Sequence, residues 1–309
     1  MRQILCLLSA LFFLNPIEAA GESPANVDTS LTTILVTGVT GRQGGAVARE
    51  LLRRGYSVRG LTRNPESERA RALTRLDVAL FRGNFDDAAS LDSALEGTDG
   101  IFAVTDFWEH GYEQEIAHGR NLVDAAARAK ISFFVFSSVA SADQATNIPH
   151  FDSKWEIEKY LRESGLNYAV VRPVSFMENW SIDSDDVIAG RIVTAGNPAR
   201  PHQYISVRDI ARFVADAFDS RNLWNGVALD IAADEISLAR ICEVLTEITG
   251  RPVEPDEVSW ADYESLAGGE MATMSRWLDA VGYNVDVAAL RKRQPGMITM
   301  EEFLRSLHR

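Results

Sequence analysis

Three glycines at fixed spacing are the first residues in this sequence whose pattern points to chemistry. Gly38, Gly41 and Gly44 form the pattern G-x-x-G-x-x-G, which follows a β-rich run and precedes an amphipathic helical stretch. In such a unit the first glycine permits a tight turn, the second lets the backbone approach a pyrophosphate, and the third allows close packing of helix and sheet. The phosphates would lie at the positive end of the helix. This position in the first strand–helix unit predicts a dinucleotide site.

Arg63, at the end of the second predicted strand, bears on which dinucleotide binds. A site for NAD usually has a carboxylate there, about 20 residues after the glycine motif, that accepts the ribose hydroxyls. Arg63 lies 19 residues after Gly44, and no acidic residue takes that place. A guanidinium can donate two hydrogen bonds to a 2′-phosphate, which a carboxylate would repel. The sequence therefore favours NADP(H) over NAD(H), with Arg42 of the glycine loop as a candidate second cation.

The elements that must position these residues alternate regularly along the chain from residue 32. β-rich runs are predicted at 33–37, 57–62, 78–81, 100–104, 133–137 and 168–171, and helices at about 43–54, 66–75, 87–95, 112–129 and 151–164. Strands separated by helices form right-handed β–α–β units, so we predict an α/β fold with a Rossmann-type, doubly wound parallel sheet. The alternation weakens after Pro173. We therefore predict an NAD(P)-binding Rossmann domain at 32–173 and a smaller, mostly helical C-terminal lobe at 174–309 that completes the substrate pocket.

The beginning of the chain differs from the rest. Residues 1–21 contain Arg2, an apolar run at 4–14 and then small residues, which is the layout of a secretory signal peptide. The run is too short for a bilayer, which needs about 20 residues, and a short buried helix is the alternative. Residues 22–31 are predicted to be a linker. An exported or organellar location follows, or a cytoplasmic one if the start site is over-extended.

Composition and charge argue against several classes of protein. The chain of 309 residues has 31 Lys and Arg against 44 Asp and Glu, a net charge of −13 and no basic run, so we expect no direct nucleic-acid binding. No second apolar stretch has transmembrane length, so we expect no membrane span in the mature form. No metal-ligand cluster is predicted, since His110 and His118, eight residues apart, would lie on different faces of one helix.

Taken together, the motifs resemble those of the NmrA-like family. This family consists of atypical members of the short-chain dehydrogenase/reductase superfamily, and it includes NADPH-sensing regulators as well as reductases. The matching segments are spread over about residues 32–300 and comprise TGVTGRQGG at 37–45, TRNP at 62–65, GNFDD at 83–87, VTDFWE at 104–109, HFDSK at 150–154 and EN at 178–179.

The resemblance implies an NADP(H) cofactor and a role for each matching residue. It assigns the pyrophosphate to Gly38, Thr40, Gly41, Gln43 and Gly44, the 2′-phosphate to Arg63, the flanks of the adenine to Asn84 and Phe85, the surroundings of the nicotinamide ribose to Thr105, Asp106 and Lys154, and the nicotinamide end to Phe176 and Asn179. Asn84 stands where family members often have Asp, and Asp106 stands where Asn is common.

Lys154, His150 and Ser138 are the candidate catalytic residues. Typical short-chain dehydrogenases use Tyr-x-x-x-Lys, in which the lysine lowers the pKa of the tyrosine so that the phenol can pass a proton to a carbonyl. Here His150 takes the place of the tyrosine, and an imidazole with a pKa of about 6.5 can serve as a general acid. The alternatives are that His150 only caps or packs at the helix start and that Lys154 lies on a solvated face. Ser138 ends the fifth predicted strand, where the superfamily places a substrate-orienting serine.

Two functions of different class remain open. The first is an NADPH-dependent reductase of a small carbonyl, quinone or similar acceptor, in an apolar pocket built by Phe107, Trp108, Phe176, Met177 and Trp180. The second is a non-catalytic sensor that binds NADP(H) and changes its contacts with a regulatory protein partner, which the missing tyrosine and the family's regulatory members favour. The reductase is preferred because a sensor does not need an apolar pocket. The sequence does not name the substrate or the oligomeric state.

Overall fold

A computed structural model describes residues 32–308 of the protein, and the predicted signal peptide (1–21) and linker (22–31) lie outside the described residues. The strands are β1 (Thr33–Val36), β2 (Ser57–Thr62), β3 (Ala79–Arg82), β4 (Gly100–Ala103), β5 (Phe133–Ser137), β6 (Tyr168–Pro173), β7 (Ser175–Phe176), β8 (Arg191–Thr194), β9 (Pro201–Ile205), β10 (Val227–Ile231), β11 (Asp234–Ser237) and β12 (Glu254–Glu257).

The α-helices alternate with these strands in the first part of the chain and follow one another in the last. They are α1 (Arg42–Arg53), α2 (Glu68–Thr74), α3 (Ala88–Leu95), α4 (Phe107–Arg128), α5 (Pro149–Glu163), α6 (Asp185–Ala189), α7 (Val207–Asp219), α8 (Arg221–Trp224), α9 (Leu238–Thr249), α10 (Trp260–Ala267), α11 (Gly269–Ala280), α12 (Val287–Arg293) and α13 (Met300–Leu307). A short 3-10 turn at Met177–Asn179 follows β7.

The largest sheet is parallel throughout, with the strand order β10-β6-β5-β4-β1-β2-β3. The chain runs outward from β1 through β2 and β3, then crosses to the other side and continues through β4, β5 and β6. This arrangement confirms the predicted doubly wound sheet. At the switch between β1 and β4 the connections leave in opposite directions, which opens a crevice at the carboxyl ends of the strands.

Successive side chains of each strand enter two hydrophobic cores on opposite faces of this sheet. In β1, Ile34 and Val36 belong to one core and Leu35 to the other, and all three are fully buried. Residues of α1 and α7 complete the first core, and residues of α3, α4 and α5 complete the second. Because helices cover both faces, the strands read as continuous apolar runs rather than alternating ones.

Helix α4 begins earlier than predicted and is broken near its start. The prediction began at residue 112, whereas a first turn begins at Phe107, and Gly111, with φ of 76° and ψ of 179°, separates this turn from the main helix. The break also shows that the predicted placement of His110 and His118 on different faces of one helix is wrong. Their ring centroids lie 4.7 Å apart, because the chain changes direction at Gly111 instead of continuing as one helix.

The chain leaves the large sheet after β6 and later returns to it. Helix α7 packs against α1, and β10 pairs in parallel with β6. The predicted boundary at residue 173 therefore places β10 and α7 in the lobe, although both pack with the sheet unit. Besides helices, the lobe contains two small sheets, β11-β9-β7 and β12-β8, that the sequence pattern did not predict. In residues 32–308 no helix combines the length and apolarity needed to cross a membrane.

Candidate functional site

A cleft of about 1440 Å³ runs along the carboxyl edge of the large sheet, across the switch between β1 and β4. The predicted residues that line it are Gly38, Thr40, Gly41, Arg42, Gln43, Gly44, Arg63, Asn84, Phe85, Thr105, Asp106, Ser138, His150, Phe176 and Asn179. Lys154 lies behind this wall, hydrogen-bonded to Thr105. The structure thus brings together residues from six strand ends, while their contacts to a dinucleotide stay predictions.

The glycine loop is shaped by two close backbone approaches. Gly38 has φ of 57°, and its carbonyl oxygen accepts a hydrogen bond from the Gly41 N–H at 2.8 Å. A Cβ at Gly44 would overlap the Gly38 carbonyl group and would lie 2.7 Å from the Thr37 carbonyl oxygen, so only glycine lets α1 start here. The start of α1 has neither a side-chain cap nor an acidic residue in its first turn. Its first backbone N–H groups are therefore suited to an anion.

Two polar side chains of the loop connect it to other parts of the cleft. Gln43 is buried and its amide nitrogen donates to the Ser137 hydroxyl at 2.6 Å, so the side chain faces the end of β5. Arg42 donates to the Glu178 carbonyl oxygen at 2.8 Å and lies 3.4 Å from the Asn179 amide oxygen. These contacts join the glycine loop to the end of β5, where a substrate-orienting serine is predicted, and to the turn after β7, which is predicted to line the nicotinamide end.

Arg63 is bound to a residue that the sequence did not identify as its partner. Both of its terminal nitrogens donate to the Glu109 carboxylate, Nη1 to Oε1 and Nη2 to Oε2, the latter at 3.0 Å. The Arg63 hydrogen bond holds the pKa of Glu109 below its usual value, which keeps the carboxylate charged. The spacing between Arg63 and Glu109 is 46 residues, and no local pattern signals such a pair.

The predicted adenine end is formed by the turn after β3. The Asn84 side-chain oxygen accepts from the backbone N–H of Asp86 and Asp87, at 2.8 and 3.0 Å, so Asn84 shapes this turn. Phe85 packs edge-on against the His118 ring, with centroids 5.4 Å apart. Although His110 and His118 lie close together here, no group of three or more His, Cys, Asp or Glu residues between residues 32 and 308 could hold a metal ion.

Lys154 is held in a buried network, which overturns the alternative of a solvated face. Its ammonium donates to the Thr105 carbonyl and hydroxyl oxygens at 3.0 and 2.7 Å and pairs with Glu115 at 2.8 Å. These three partners match the three donors of an ammonium group. Glu115 is fully buried and also accepts from Thr105 and Ser153. Burial alone would raise the pKa of Glu115, but the Lys154 charge and these hydrogen bonds lower it.

His150 lies in α5 and forms a pair with a carboxylate from the lobe. Its Nδ1 is 2.6 Å from an oxygen of Glu270, at the start of α11. The rings of Trp108 and Phe151 lie against the imidazole, with centroids 5.0 and 4.9 Å away. Burial lowers the pKa of His150, and the Glu270 carboxylate opposes this only in part. With Nδ1 engaged, Nε2 is the ring nitrogen left for a substrate, and the sequence offered no sign of Glu270.

Ser138 lies in the cleft wall with a hydroxyl that is unpartnered within residues 32–308. The Oγ atom is buried and has no hydrogen-bond partner among the residues that the structure describes. The loop that follows is held in place from two sides: Arg172 donates to Asp143 at 2.7 Å, and the Ser141 N–H donates to Asp230 at 3.0 Å. Because the loop links β5 to α5, these contacts fix Ser138 and His150 relative to each other.

The apolar wall differs in part from the predicted one. Trp108 and Phe176 line the cleft, whereas Met177 is fully buried in the core and Trp180 packs against that core. Phe107 packs against the His150 ring, with centroids 5.7 Å apart. The lobe supplies the lining residues that the prediction missed, namely Met271, Met274 and Tyr283. The methionines are three residues apart on α11, a spacing that marks one helix face and could have suggested them.

Comparisons with known proteins agree on the fold and on one family. The NmrA-like family model matches residues 30–304. An NmrA-like family domain-containing oxidoreductase of Aspergillus hancockii is 29% identical over 270 residues, which cover 78% of this chain and 80% of the relative.

Two solved structures share the fold at low sequence identity. NmrA, described as a negative transcriptional regulator and solved with NADP, has a TM-score of 0.74 at 22% identity, with 90% of this chain and 96% of that chain covered. An NADPH-dependent quinone oxidoreductase of Escherichia coli, solved with NADPH, has a TM-score of 0.75 at 24% identity, with 89% of this chain and all of that chain covered. A regulator and an oxidoreductase therefore share this architecture.

Proposed function

This chain belongs to the NmrA-like family, and on that premise we propose that it is an NADPH-dependent oxidoreductase that reduces a small carbonyl or quinone-type acceptor. One observation carries the proposal. A single cleft extends from the uncapped, glycine-rich start of α1 to His150, which is paired with Glu270. The first feature suits the phosphates of a dinucleotide, and the second suits proton transfer to a substrate.

The residues of the cleft fit NADP(H) at several points. The glycine loop leaves room and unpaired helix N–H groups for a pyrophosphate, and Asn84 and Phe85 border the space for the adenine. Arg63 can donate to a 2′-phosphate from the two terminal nitrogens that now bind Glu109. The cofactor, when bound, supplies the hydride. All three N–H donors of Lys154 are used within the protein, so we propose that Lys154 holds Thr105 at the cofactor wall. A direct contact of Lys154 to the ribose would require that one of these three bonds be broken.

His150 is the proposed proton donor. Reduction of a carbonyl adds a hydride to carbon and a proton to oxygen, so a group that can give a proton must lie beside the substrate oxygen. Glu270 engages Nδ1 and so orients the ring with Nε2 available for this transfer. The rings of Phe107 and Trp108 lie against the imidazole and cover part of it. Ser138, with its unpartnered hydroxyl, is the proposed second contact to the substrate oxygen.

A non-catalytic NADP(H) sensor that regulates a protein partner is the second candidate. Position 150 is histidine instead of the tyrosine of typical short-chain dehydrogenases, which favours this alternative. A related fold occurs in NmrA, a negative transcriptional regulator. The pair of His150 and Glu270 argues against a sensor. It lies beside a cleft that is lined by Met271, Met274 and Tyr283. A sensor has no use for a buried proton donor at such an apolar pocket.

Turnover of NADPH tests the proposal directly. Purified protein is mixed with NADPH and a panel of quinones and aldehydes, and the nicotinamide absorbance is followed. We expect oxidation with at least one acceptor, and we expect His150→Gln to lower kcat about 100-fold or more, as the loss of a general acid does. His202→Gln is the matched control, since His202 lies outside the cleft. Tight NADPH binding without turnover of any acceptor would overturn the reductase and support the sensor.

A further inference from the structure

Arg63 already binds a carboxylate of this chain. Two carboxylate oxygens of Glu109 accept hydrogen bonds from its two terminal nitrogens. This is the geometry in which a guanidinium binds two oxygens of a phosphate. Glu109 therefore fills the position on Arg63 that a 2′-phosphate would take.

We propose that Glu109 is a specificity-determining residue of the cofactor site: it competes with the 2′-phosphate for Arg63, so that NADP(H), but not NAD(H), displaces Glu109 together with the turn that carries it. The inference rests on the proposed function, since it requires Arg63 to bind the 2′-phosphate. Beyond that function, Glu109 opposes the binding of NADP(H), and its displacement affects the substrate end of the cleft.

The exposure of the pair allows a phosphate to break it. The side chain of Arg63 is 64% exposed and that of Glu109 is 44% exposed. Ion pairs with this exposure contribute little to stability because water screens them. A phosphate monoester carries more negative charge than a carboxylate and has three acceptor oxygens. Glu109 occupies both terminal nitrogens of Arg63, so a 2′-phosphate that binds these same two nitrogens must displace it.

The turn that carries Glu109 is set apart from the main helix of α4. It extends from Phe107 to His110, between Asp106, which caps it, and Gly111. Gly111 has a positive φ, so the backbone is not helical at this point. A Cβ placed at Gly111 would meet no atom within 4 Å, so the space beside this residue is open. A rotation at Gly111 can therefore release Glu109 from Arg63 while the backbone of the main helix stays in place, although it breaks the contact between the His110 and His118 rings.

The same turn reaches the proposed proton donor. The rings of Phe107 and Trp108 lie 5.7 and 5.0 Å from the His150 ring, measured between centroids. Displacement of Glu109 by a 2′-phosphate therefore moves the aromatic neighbours of His150. Trp108 is 61% exposed, which makes its indole a natural reporter of this movement.

Binding of cofactor fragments to the full chain tests the competition without any enzymatic activity. The two ligands are adenosine 2′,5′-bisphosphate and adenosine 5′-monophosphate, and the measurement is isothermal titration calorimetry. We expect Glu109→Gln to bind the 2′-phosphorylated ligand about threefold more tightly than the unaltered chain does, as expected for the loss of an exposed ion pair. Its affinity for the monophosphate is expected to stay the same. Glu113→Gln, which removes an exposed charge from the same helix, is the matched control and is expected to change neither affinity.

Arg63→Ala separates failure of this inference from failure of the assignment on which it rests. If Arg63→Ala abolishes the preference for the 2′-phosphate but Glu109→Gln binds no more tightly, the competition is overturned and the cofactor assignment stands. If Arg63→Ala keeps the preference, both are overturned. Weaker binding of the monophosphate by Glu109→Gln would also overturn the competition, because Glu109 would then be a ribose ligand.

Tryptophan fluorescence tests the movement of the turn. The bisphosphate, but not the monophosphate, is expected to change the emission of the unaltered chain, and this change is expected to be absent in Trp108→Phe. An identical change in Trp108→Phe would overturn the movement of the turn, because the signal would then come from another tryptophan.

Discussion

The side chains of the cleft owe their chemistry to carboxylates from distant parts of the chain. Glu115 neutralises Lys154, and Glu270 fixes the orientation of His150. Removing one partner of a buried ion pair costs about 3–5 kcal/mol, because the remaining charge is left without compensation. Lys154 is therefore confined to the wall behind Thr105, whereas His150 lines the cleft and keeps one ring nitrogen free of Glu270.

The pH dependence of turnover is expected to report the state of His150. The imidazole can donate a proton only below its pKa, which burial holds below the usual 6.5. The value of kcat/KM is therefore expected to rise as the pH falls through this lowered pKa. Glu270→Gln removes the carboxylate that opposes the effect of burial, so the rise should move to still lower pH. If the pKa of His150 falls by one further pH unit, kcat/KM at neutral pH should drop about tenfold.

A pH profile of kcat/KM for both proteins checks this expectation. Glu264→Gln, on the neighbouring helix α10, is the matched control and should leave the profile unchanged. A profile in Glu270→Gln that coincides with that of the unaltered chain would mean that Glu270 does not act through the ionisation of His150.

Among the secondary-structure elements, the junction of β1 and α1 has little room for a larger residue at Gly44. The chain turns back on itself within a few residues, and α1 begins directly against the carbonyl groups of Thr37 and Gly38. The same close approach leaves the helix N–H groups accessible to an anion, so the requirement for glycine and the proposed phosphate site have one physical origin.

Gly44→Ala is expected to destabilise this junction. The new Cβ would overlap the Gly38 carbonyl, which is backbone and cannot rotate away, and overpacking of this kind costs about 1–3 kcal/mol. Urea unfolding measures the loss, and the variant should also bind NADPH more weakly. Gly269→Ala is the control: its nearest neighbour would be a Glu264 side-chain oxygen at 3.8 Å, so its stability should change by less than about 0.5 kcal/mol. Equal stability of the two variants would contradict the proposed packing.

In the molecule as a whole, the cleft is assembled from both the sheet unit and the lobe. The lobe places Glu270, Met271 and Met274 of α11 over the end of the cleft at His150. The chain also passes back through the sheet as α7 and β10 before it builds that helix. Neither unit alone contains the complete lining of the cleft, and we expect the proposed proton transfer to depend on the lobe because the lobe supplies Glu270.

The predicted signal peptide concerns the whole molecule as well, and it stays a prediction because residues 1–21 lie outside the described residues. We expect the native protein to begin near residue 22, because the apolar run is followed by the small residues Ala19, Ala20 and Gly21 that suit cleavage. N-terminal sequencing of protein from its natural source measures this. A native product that keeps Met1, or that starts near Val27 or Leu31 without cleavage, would contradict the prediction.

The sequence by itself determined the doubly wound sheet, the glycine loop and the set of residues that meet along its carboxyl edge. These features depend on short-range patterns: strands and helices alternate, glycines stand at fixed spacing, and the ends of parallel strands meet at one edge. The small sheets of the lobe were not predicted, because their strands are short and pair with partners far away in the sequence.

Only the tertiary structure decided which partner each charged residue has. Glu109 lies 46 residues from Arg63, Glu270 lies 120 residues from His150, and Glu115 belongs to a different helix from Lys154. None of these glutamates stands at a sequence spacing that signals its partner. The physical reason is that an ion pair depends on distance in space, which the packing of α4, α5 and α11 sets, and not on distance along the chain.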